Sequence, residues 1–328
     1  MMKFKYLTDN RELALHILNN WEYDMDQLEI MDQFRISATA IYPFWKDDAL
    51  QYLRFSPCEE RTAECVGAEL EFINYLRNNG FPVAQIVSSK DGEDLNEINT
   101  KWGHYIASVF KRVDGNRLDR VELSDDILFN LGSTLAQLHK LSGEYEPKGC
   151  RRESHTDKLN WIDETLEKYD NKALAKKESK LIREQLNTLS KTSLNYGLVH
   201  YDYEFDNLFF DETSKKIHVI DFDDAVYHWY VMDLIKFYDC LSDEYSGSSL
   251  DAAIKQFNEG YKSIRPVDEN LLKMQNLFER YDALYSYTRC LEAISDPAED
   301  QEEWMGTLRK RIEGAMSRKS QCFGQDIR

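Results

Sequence analysis

Glycine and proline are scarce in this chain. Fourteen glycines and six prolines among 328 residues are about half the usual share, and so few chain-breaking positions favour long helices joined by short loops. Cationic residues are also in the minority, with 41 Lys and Arg against 59 Asp and Glu and a formal net charge of −18. A nucleic-acid binder needs a basic face to displace phosphate counterions. Here acidic and basic residues are mixed along the chain with no basic block, so that class of partner is excluded.

No apolar run approaches the roughly 20 residues that span a bilayer. Met1 to Glu12 carries polar and charged residues where a secretion signal would place its apolar stretch. The six cysteines, Cys58, Cys65, Cys150, Cys240, Cys290 and Cys322, are dispersed without a C-x-x-C pair or clustered histidines, which argues against a disulfide framework and against a zinc site. The expectation is a soluble cytoplasmic protein with reduced thiols and no membrane partner.

What is present is a globular composition, 42% hydrophobic and 30% charged, with length for about two lobes. Apolar spacing predicts a helix over Glu12 to Asp26. A β-hairpin follows, Phe34 to Phe44 and Leu50 to Phe55, around the turn Lys46-Asp47-Asp48. Next come a helix from Glu59 to Asn79 behind Pro57, and strands Val83 to Val87 and His104 to Val113 around a polar loop, Ser88 to Lys101. Beyond Asp114-Gly115 the pattern is helical: Asp125 to Leu141, Lys158 to Lys168, Lys172 to Leu189, Trp229 to Ser242, Leu250 to Lys262, Asn270 to Ile294 and Glu302 to Met316. A β island from Leu198 to Asp224 interrupts it. The expected division is a small mixed lobe, residues 1–114, and a larger helical lobe, residues 115–328.

The chemistry concentrates in the β island. His200-Tyr201-Asp202-Tyr203-Glu204-Phe205-Asp206-Asn207 is followed by a short strand, a polar turn, and a second strand ending in Asp221-Phe222-Asp223-Asp224. Carboxylates gathered at strand ends repel one another unless a cation lies between them. Oxygen donors without thiolate or imidazole suit Mg²⁺ or Mn²⁺ rather than Zn²⁺. A calcium loop is excluded, because no glycine follows Asp206 and Thr213 stands where a bidentate Glu is needed. The spacing His-x-Asp-x-x-x-x-Asn, with an Asp closing the next strand, is that of a kinase catalytic loop and metal-binding segment.

These segments resemble the aminoglycoside phosphotransferase and choline kinase superfamily, whose signature is His-Gly-Asp-x-x-x-x-Asn with a following Ile-Asp-Phe-acid-Asp strand end. Tyr201 stands here in place of the usual Gly. Leu131-Gly132-Ser133-Thr134-Leu135-Ala136-Gln137-Leu138-His139 resembles the family helix Leu-Gly-x-x-Leu-Ala-x-Leu-His, and Asp233-Leu234 the pair that supports the catalytic loop from below. The resemblance runs from about residue 34 to 260. It implies an α+β, protein-kinase-like bilobal fold with a small mixed N-lobe and a larger, mostly helical C-lobe. It also implies an ATP- and Mg²⁺-dependent phosphotransferase acting on a small-molecule hydroxyl.

Carried over by position, the resemblance makes Asp202 the catalytic carboxylate and Asn207 and Asp221 the metal ligands. Asp223 and Asp224 are extra acids, metal-binding through water or structural. His200 organises the loop, and His139 and His218 are structural. In the N-lobe, Arg54 contacts the ATP phosphates and pairs with Glu69, and Ser37 lies in a glycine-free phosphate loop, Arg35 to Thr39. Phe110 and Val113 belong to the adenine-binding segment 109–113. Tyr227, Trp229 and Tyr230 either line an acceptor pocket or belong to the core. The acidic surplus favours a cationic acceptor such as an amino alcohol, a homoserine-like molecule or an aminoglycoside. Two other readings stay open: a protein Ser/Thr kinase like the bacterial stress response kinases, and a catalytically silent binding protein.

Overall fold

Asn10 caps the first helix, its side chain accepting the Leu13 N–H at 2.9 Å, in a computed structural model that describes residues 3, 6, 10–295 and 303–327. Helix α1 (Arg11–Leu18) buries Leu13, Ala14, Ile17 and Leu18, the face its spacing predicts. It stops well short of Asp26, and Met25–Gln33 forms a 3-10 segment that the apolar pattern does not announce. Trp21, expected on the helix, is buried beyond it and donates its Nε1 proton to the Val87 carbonyl at 2.9 Å.

Strands β1 (Arg35–Ile36), β2 (Ala40–Lys46) and β3 (Ala49–Pro57) run antiparallel. The expected turn between β2 and β3 places both Asp47 and Asp48 at positive φ, 50° and 59°, the geometry that matches the twist of a two-residue hairpin. β4 (Ile86–Val87) and β6 (Gly103–Lys111) extend the sheet in the order β1-β2-β3-β6-β4. Only the last two residues of the expected Val83 to Val87 strand join it. The segment 88–101 is not simply a loop, because β5 (Asn96–Thr100) pairs with the first half of β6. Ile98 is the strand's only large apolar side chain, which is why its composition reads as polar.

Helix α2 (Ala63–Asn78) starts at Thr62, whose hydroxyl accepts the Cys65 N–H, not directly behind Pro57. Its apolar face, with Leu70, Phe72, Ile73 and Leu76, packs into a core shared with Leu131, Leu135, Leu208, Val219 and Phe222 of the helical lobe. The sheet and α1 enclose a separate core around Tyr42, Phe44 and Leu53.

The helical lobe contains α3 (Asp125–Glu144), α4 (His155–Glu167) and α5 (Ala173–Leu186), then α6 (Val231–Glu244), α7 (Gly247–Lys262), α8 (Glu269–Leu272), α9 (Gln275–Ala293) and α10 (Glu303–Lys319). The helix expected over Asn270 to Ile294 is broken at Lys273-Met274. The expected start of the last helix, Glu302, lies outside the described residues. β7 (Asn116–Arg117) pairs with β9 (Leu208–Phe210), which also pairs with β10 (Ile217–Val219), and within the β island β8 (Tyr196–Val199) pairs with β11 (Val226–Trp229). Trp229 therefore ends a strand instead of opening a helix. No helix among the described residues is long and apolar enough to cross a membrane.

Two glycines let α3 and α7 touch backbone to backbone. A Cβ at Gly132 would sit 1.9 Å from the Phe257 carbonyl oxygen, and one at Gly260 would sit 1.9 Å from that of Phe129. Gly132→Ala is therefore expected to lower unfolding free energy by about 3 kcal/mol, the scale of overpacking against a backbone that cannot yield. Urea denaturation measures it. Gly306→Ala on α10, where a Cβ meets nothing within 4 Å, is the control and should gain about 0.5–1 kcal/mol from helix propensity.

Candidate active site

β8 delivers the chain into His200 and Tyr201, and their N–H groups are held from below by one carboxylate. Asp233, near the start of α6, accepts the His200 N–H at 2.8 Å and the Tyr201 N–H at 2.7 Å. It also accepts the Nε2 proton of His139 on α3 at 3.0 Å. Burial pulls the Asp233 pKa upward, yet the hydrogen bond from His139 and the nearby imidazoles hold it below the usual range. His139 is fully buried, which pushes its own pKa down, and its Nδ1 accepts the Tyr261 hydroxyl at 2.8 Å. His200 donates from Nε2 to the Ile220 carbonyl at 3.0 Å and accepts the Asp202 N–H at Nδ1 at 3.2 Å. Both ring nitrogens of each histidine are thereby engaged: His200 holds the loop, as expected of an organising group, and His139, expected to be structural, braces Asp233 against Tyr261.

Tyr201 and Asp221 adopt left-handed backbone, φ 69° and 63°. That conformation explains why a glycine suits the first of these positions. The tyrosine is retained through packing: it is 4% exposed, with its ring 5.6 Å from that of Tyr285.

The loop turns Asp202 and Asn207 toward each other. The Asn207 amide donates to the Asp202 carboxylate at 2.7 Å and to its backbone carbonyl at 3.0 Å, so the amide oxygen is left as the acceptor end. Burial and the Asp224 charge raise the Asp202 pKa, opposed by His200 and Lys236. Asp221 is pushed up to about 7, first by burial and then by Asp223, with Arg54 opposing. Carboxylates this crowded are relieved by a cation. The Asn207 amide oxygen and the Asp221 carboxylate are hard donors of the kind Mg²⁺ takes, so the residues present fit the ion.

From the sheet side, Arg54 on β3 makes a two-pronged ion pair with Glu69 on α2, 2.7 and 2.9 Å, with both residues buried. Its Nη1 lies 3.9 Å from Asp221 and its guanidinium 4.8 Å over the Phe110 ring. Arg54, Glu69, Phe110, Val113, Asn207 and Asp221 all line one cleft of about 260 Å³, walled by Ile41, Tyr52, Ile73, Ala84 and Phe209. An adjoining cavity of about 350 Å³ holds Ser37, Asp202, Asn207, Asp221 and Asp224. A third, about 520 Å³, shares Asp223, Asp224 and Arg289 with it and opens past Trp161 and Tyr285.

The structure thus gathers every expected site residue into two connected spaces. Ser37 belongs to a tight turn closed by its N–H on the Thr39 carbonyl at 3.1 Å. At residues 111–112 the N–H groups of Lys111 and Arg112 already donate to the carbonyls of Gln85 and Leu50.

Of the aromatic run, Trp229 and Tyr230 are buried and belong to the core of the helical lobe. Tyr227 is half-buried beneath the Arg151 guanidinium, 5.2 Å from its ring. Asp223 and Asp224 are each paired with an arginine, Asp223 with Arg61 and Asp224 with Arg289 at 2.7 Å. Against the pull of burial, Arg289 and Arg61 hold Asp224 well below the usual range. Sequence spacing does not show these partners, since Arg61 stands 162 positions from Asp223. Nor does it show Lys236, whose Nζ lies 3.2 Å from Asp282 and 3.8 Å from Glu204. Outside the cleft, β3, β5 and β6 bring Cys58, Glu97 and His104 within 4.8 Å of one another, a grouping of metal-ligand types that dispersed cysteines do not suggest.

A family model described as the phosphotransferase enzyme family matches residues 44–267. The chain is 24% identical over 302 residues to amicoumacin kinase of Bacillus subtilis (strain 168), covering 86% of this chain and 87% of that one. Among solved structures, an amicoumacin kinase in complex with AMP-PNP, Ca²⁺ and its ligand aligns with a TM-score of 0.77 at 19% identity, over 96% and 95% of the two chains. A microcompartment-associated aminopropanol kinase aligns with a TM-score of 0.64 at 21% identity, over 95% and 97%.

The crowded acids have a measurable consequence away from the metal ligands. Glu204 is pushed from the usual 4.5 up to about 7 by burial and by the Asp202 charge. A raised carboxyl binds its proton more tightly in the folded state, so it costs the fold stability progressively as pH rises from about 4.5 through about 7. Glu204→Gln should raise Tm at pH 8 and leave it nearly unchanged at pH 5. An equal shift at both pH values would contradict the raised pKa.

Proposed function

The chain belongs to the phosphotransferase enzyme family, and from that premise we propose that it transfers the terminal phosphate of ATP to the hydroxyl of a small molecule, with Mg²⁺ as the metal. The observation that carries this reading is the convergence of Asp202, Asn207 and Asp221 with the buried Arg54–Glu69 pair at the end of an apolar cleft. The adenine would lie between Ile41, Tyr52 and Phe110. The N–H groups of Lys111 and Arg112 are already engaged, so Val113 supplies the backbone donor to the base. Arg54 and the turn carrying Ser37 face the phosphates. We place the division between the lobes at residue 114 and the activity in the cytoplasm.

Asn207 and Asp221 would hold Mg²⁺, which when bound supplies neutralisation of charge on the phosphate oxygens. The remaining work belongs to the chain. Asn207 fixes the Asp202 carboxylate through its amide, and the elevated pKa of Asp202 suits a group that takes up a proton. The acceptor oxygen forms its bond to the terminal phosphorus as the bond from that phosphorus to the bridging oxygen breaks. ADP leaves, and the hydroxyl proton passes to Asp202. Positioning and electrostatics supply most of the rate.

The acceptor would be a small amine-bearing alcohol, an amino sugar or a homoserine-like molecule. Supporting this are the aminopropanol and amicoumacin acceptors named for the similar kinases and the net charge of −18. A protein substrate is disfavoured by the chain's path. Only residues 222–225 separate Asp221 from β11, which leaves no room there for an activation segment of the kind protein kinases use to dock a peptide.

Coupled ADP release with Mg-ATP and a panel of amino alcohols, hydroxy amino acids and aminoglycosides tests the reading. Turnover should appear with one class. Asp202→Asn should lower kcat about 100- to 10,000-fold, the usual contribution of a positioned proton acceptor, while Mg-ADP still binds. A wild-type chain that fails to bind Mg-ATP sinks the reading in favour of a non-catalytic role.

A further inference from the structure

Asp221 has a left-handed backbone, φ 63°, in a residue with a Cβ. A conformation of that kind persists where its surroundings over-determine it. Three arginines from three distant places in the chain converge on the four residues that follow. Arg61 closes on both carboxylate oxygens of Asp223. Arg152, 6% exposed, donates to the carbonyls of Asp223 at 2.5 Å, Ala225 at 2.9 Å and Phe222 at 3.4 Å. Arg289 on α9 holds Asp224 at 2.7 Å.

Two of the three also reach α2. Arg61 immediately precedes Thr62, the residue that caps α2. Arg152 donates to the carbonyl of Cys65 in the first turn of that helix at 3.1 Å. Glu69, farther along the same helix, orients Arg54, whose Nη1 is 3.9 Å from Asp221. The start of α2 and the turn after Asp221 are therefore one connected piece, with α2 buried in the core it shares with Phe222. Asp223 is 8% exposed, and removing one partner of an ion pair at that depth is strongly destabilising.

We infer that Arg61 is a positioning residue for the phosphotransfer: by joining the start of α2 to Asp223 it fixes the backbone that presents Asp221. The meaning of Asp221 as a metal ligand rests on the function proposed above, whereas the mechanical link between α2 and the 222–225 turn does not. Arg152 reinforces the link through backbone carbonyls and the Cys65 sulfur at 3.6 Å, and Arg289 secures its far end from the helical lobe.

The test uses Arg61→Met, Arg61→Lys, Asp223→Asn and the Arg61→Met/Asp223→Asn double variant of the full chain, with folding checked by circular dichroism. Amide hydrogen exchange reads the link directly. In Arg61→Met, residues 222–226 and 62–66 should exchange faster together, by about tenfold or more, with the rest of the chain unchanged. Mn²⁺ binding in the presence of ADP, followed by electron paramagnetic resonance, should weaken about tenfold. kcat should fall about 10- to 100-fold with the acceptor KM within about twofold.

Arg61→Lys should recover part of each loss, and it supplies the same readouts if Arg61→Met does not fold. Adding Asp223→Asn to Arg61→Met should cost little more, because the two single changes break one interaction. The inference is overturned if Arg61→Met leaves exchange and Mn²⁺ affinity at wild-type values, if only one of the two segments loosens, or if the two losses are independent. A wild type that shows the linked protection but binds no Mg-ATP would remove the proposed function and leave the mechanical link standing.

Discussion

Asp233 is a fully buried carboxylate whose two oxygens accept hydrogen bonds from the backbone N–H groups of His200 and Tyr201 and from His139. Such a group is costly to bury unless all its acceptor capacity is used, and the cost makes the arrangement specific. α6 must lie where its first turn meets the end of β8, and α3 must present His139 to the same point. Tyr201 must also turn left-handed to bring its N–H to bear. Once those backbone groups are fixed, His200 reaches across to the Ile220 carbonyl and ties the catalytic loop to the strand that ends at Asp221. The reactive carboxylates themselves carry little of this load. They are placed by the backbone contacts that Asp233 and His200 make.

A second constraint is electrostatic. Asp202, Asp221, Asp223 and Asp224 lie close enough to shift one another, and the structure sorts them by partner. Asp223 and Asp224 receive one arginine each, whereas Asp202 and Asp221 have only an amide and a guanidinium at 3.9 Å. The paired acids have little left to offer a ligand. The underpaired ones have raised pKa values, and crowding of that kind is relieved by a nearby cation. Pairing with arginine thus distinguishes Asp223 and Asp224 from Asp221 at the same strand end.

The sequence made legible those parts of the site that lie close together along the chain. His200, Asp202, Asn207 and Asp221 fall within one hairpin, where spacing alone fixes which side chains share an end. The pairing of Arg54 with Glu69 came from the family resemblance, which matches a strand and the helix that follows it. Apolar periodicity located the long helices of the helical lobe because each buries a single stripe. It failed at β5, an edge strand with one large apolar side chain, and at Met25–Gln33, where the 3-10 repeat carries no amphipathic signature. It also left open whether Trp229 and Tyr230 face a pocket or the core, since an aromatic residue suits both. Arg61, Arg152 and Arg289 were invisible for a different reason. A buried arginine and a surface arginine look alike in a sequence, and their partners lie 65 to 162 positions away.

The charge of −18 shows why a global quantity and a local one must be kept apart. Around the 520 Å³ cavity the acids do not form a bare floor. Asp223 and Asp224 are matched by Arg61 and Arg289, Glu153 accepts Lys158 at 2.5 Å, and Arg151 and Arg152 add cations to the same wall. Exposed acids elsewhere on the molecule supply most of the surplus, and at physiological salt their field is screened within about 8 Å. A cationic acceptor would be drawn toward the molecule by that surplus but recognised by individual groups within reach of Asp202. Any such recognition is therefore local, set by the groups that line the cavities beside Asp202 rather than by the net charge.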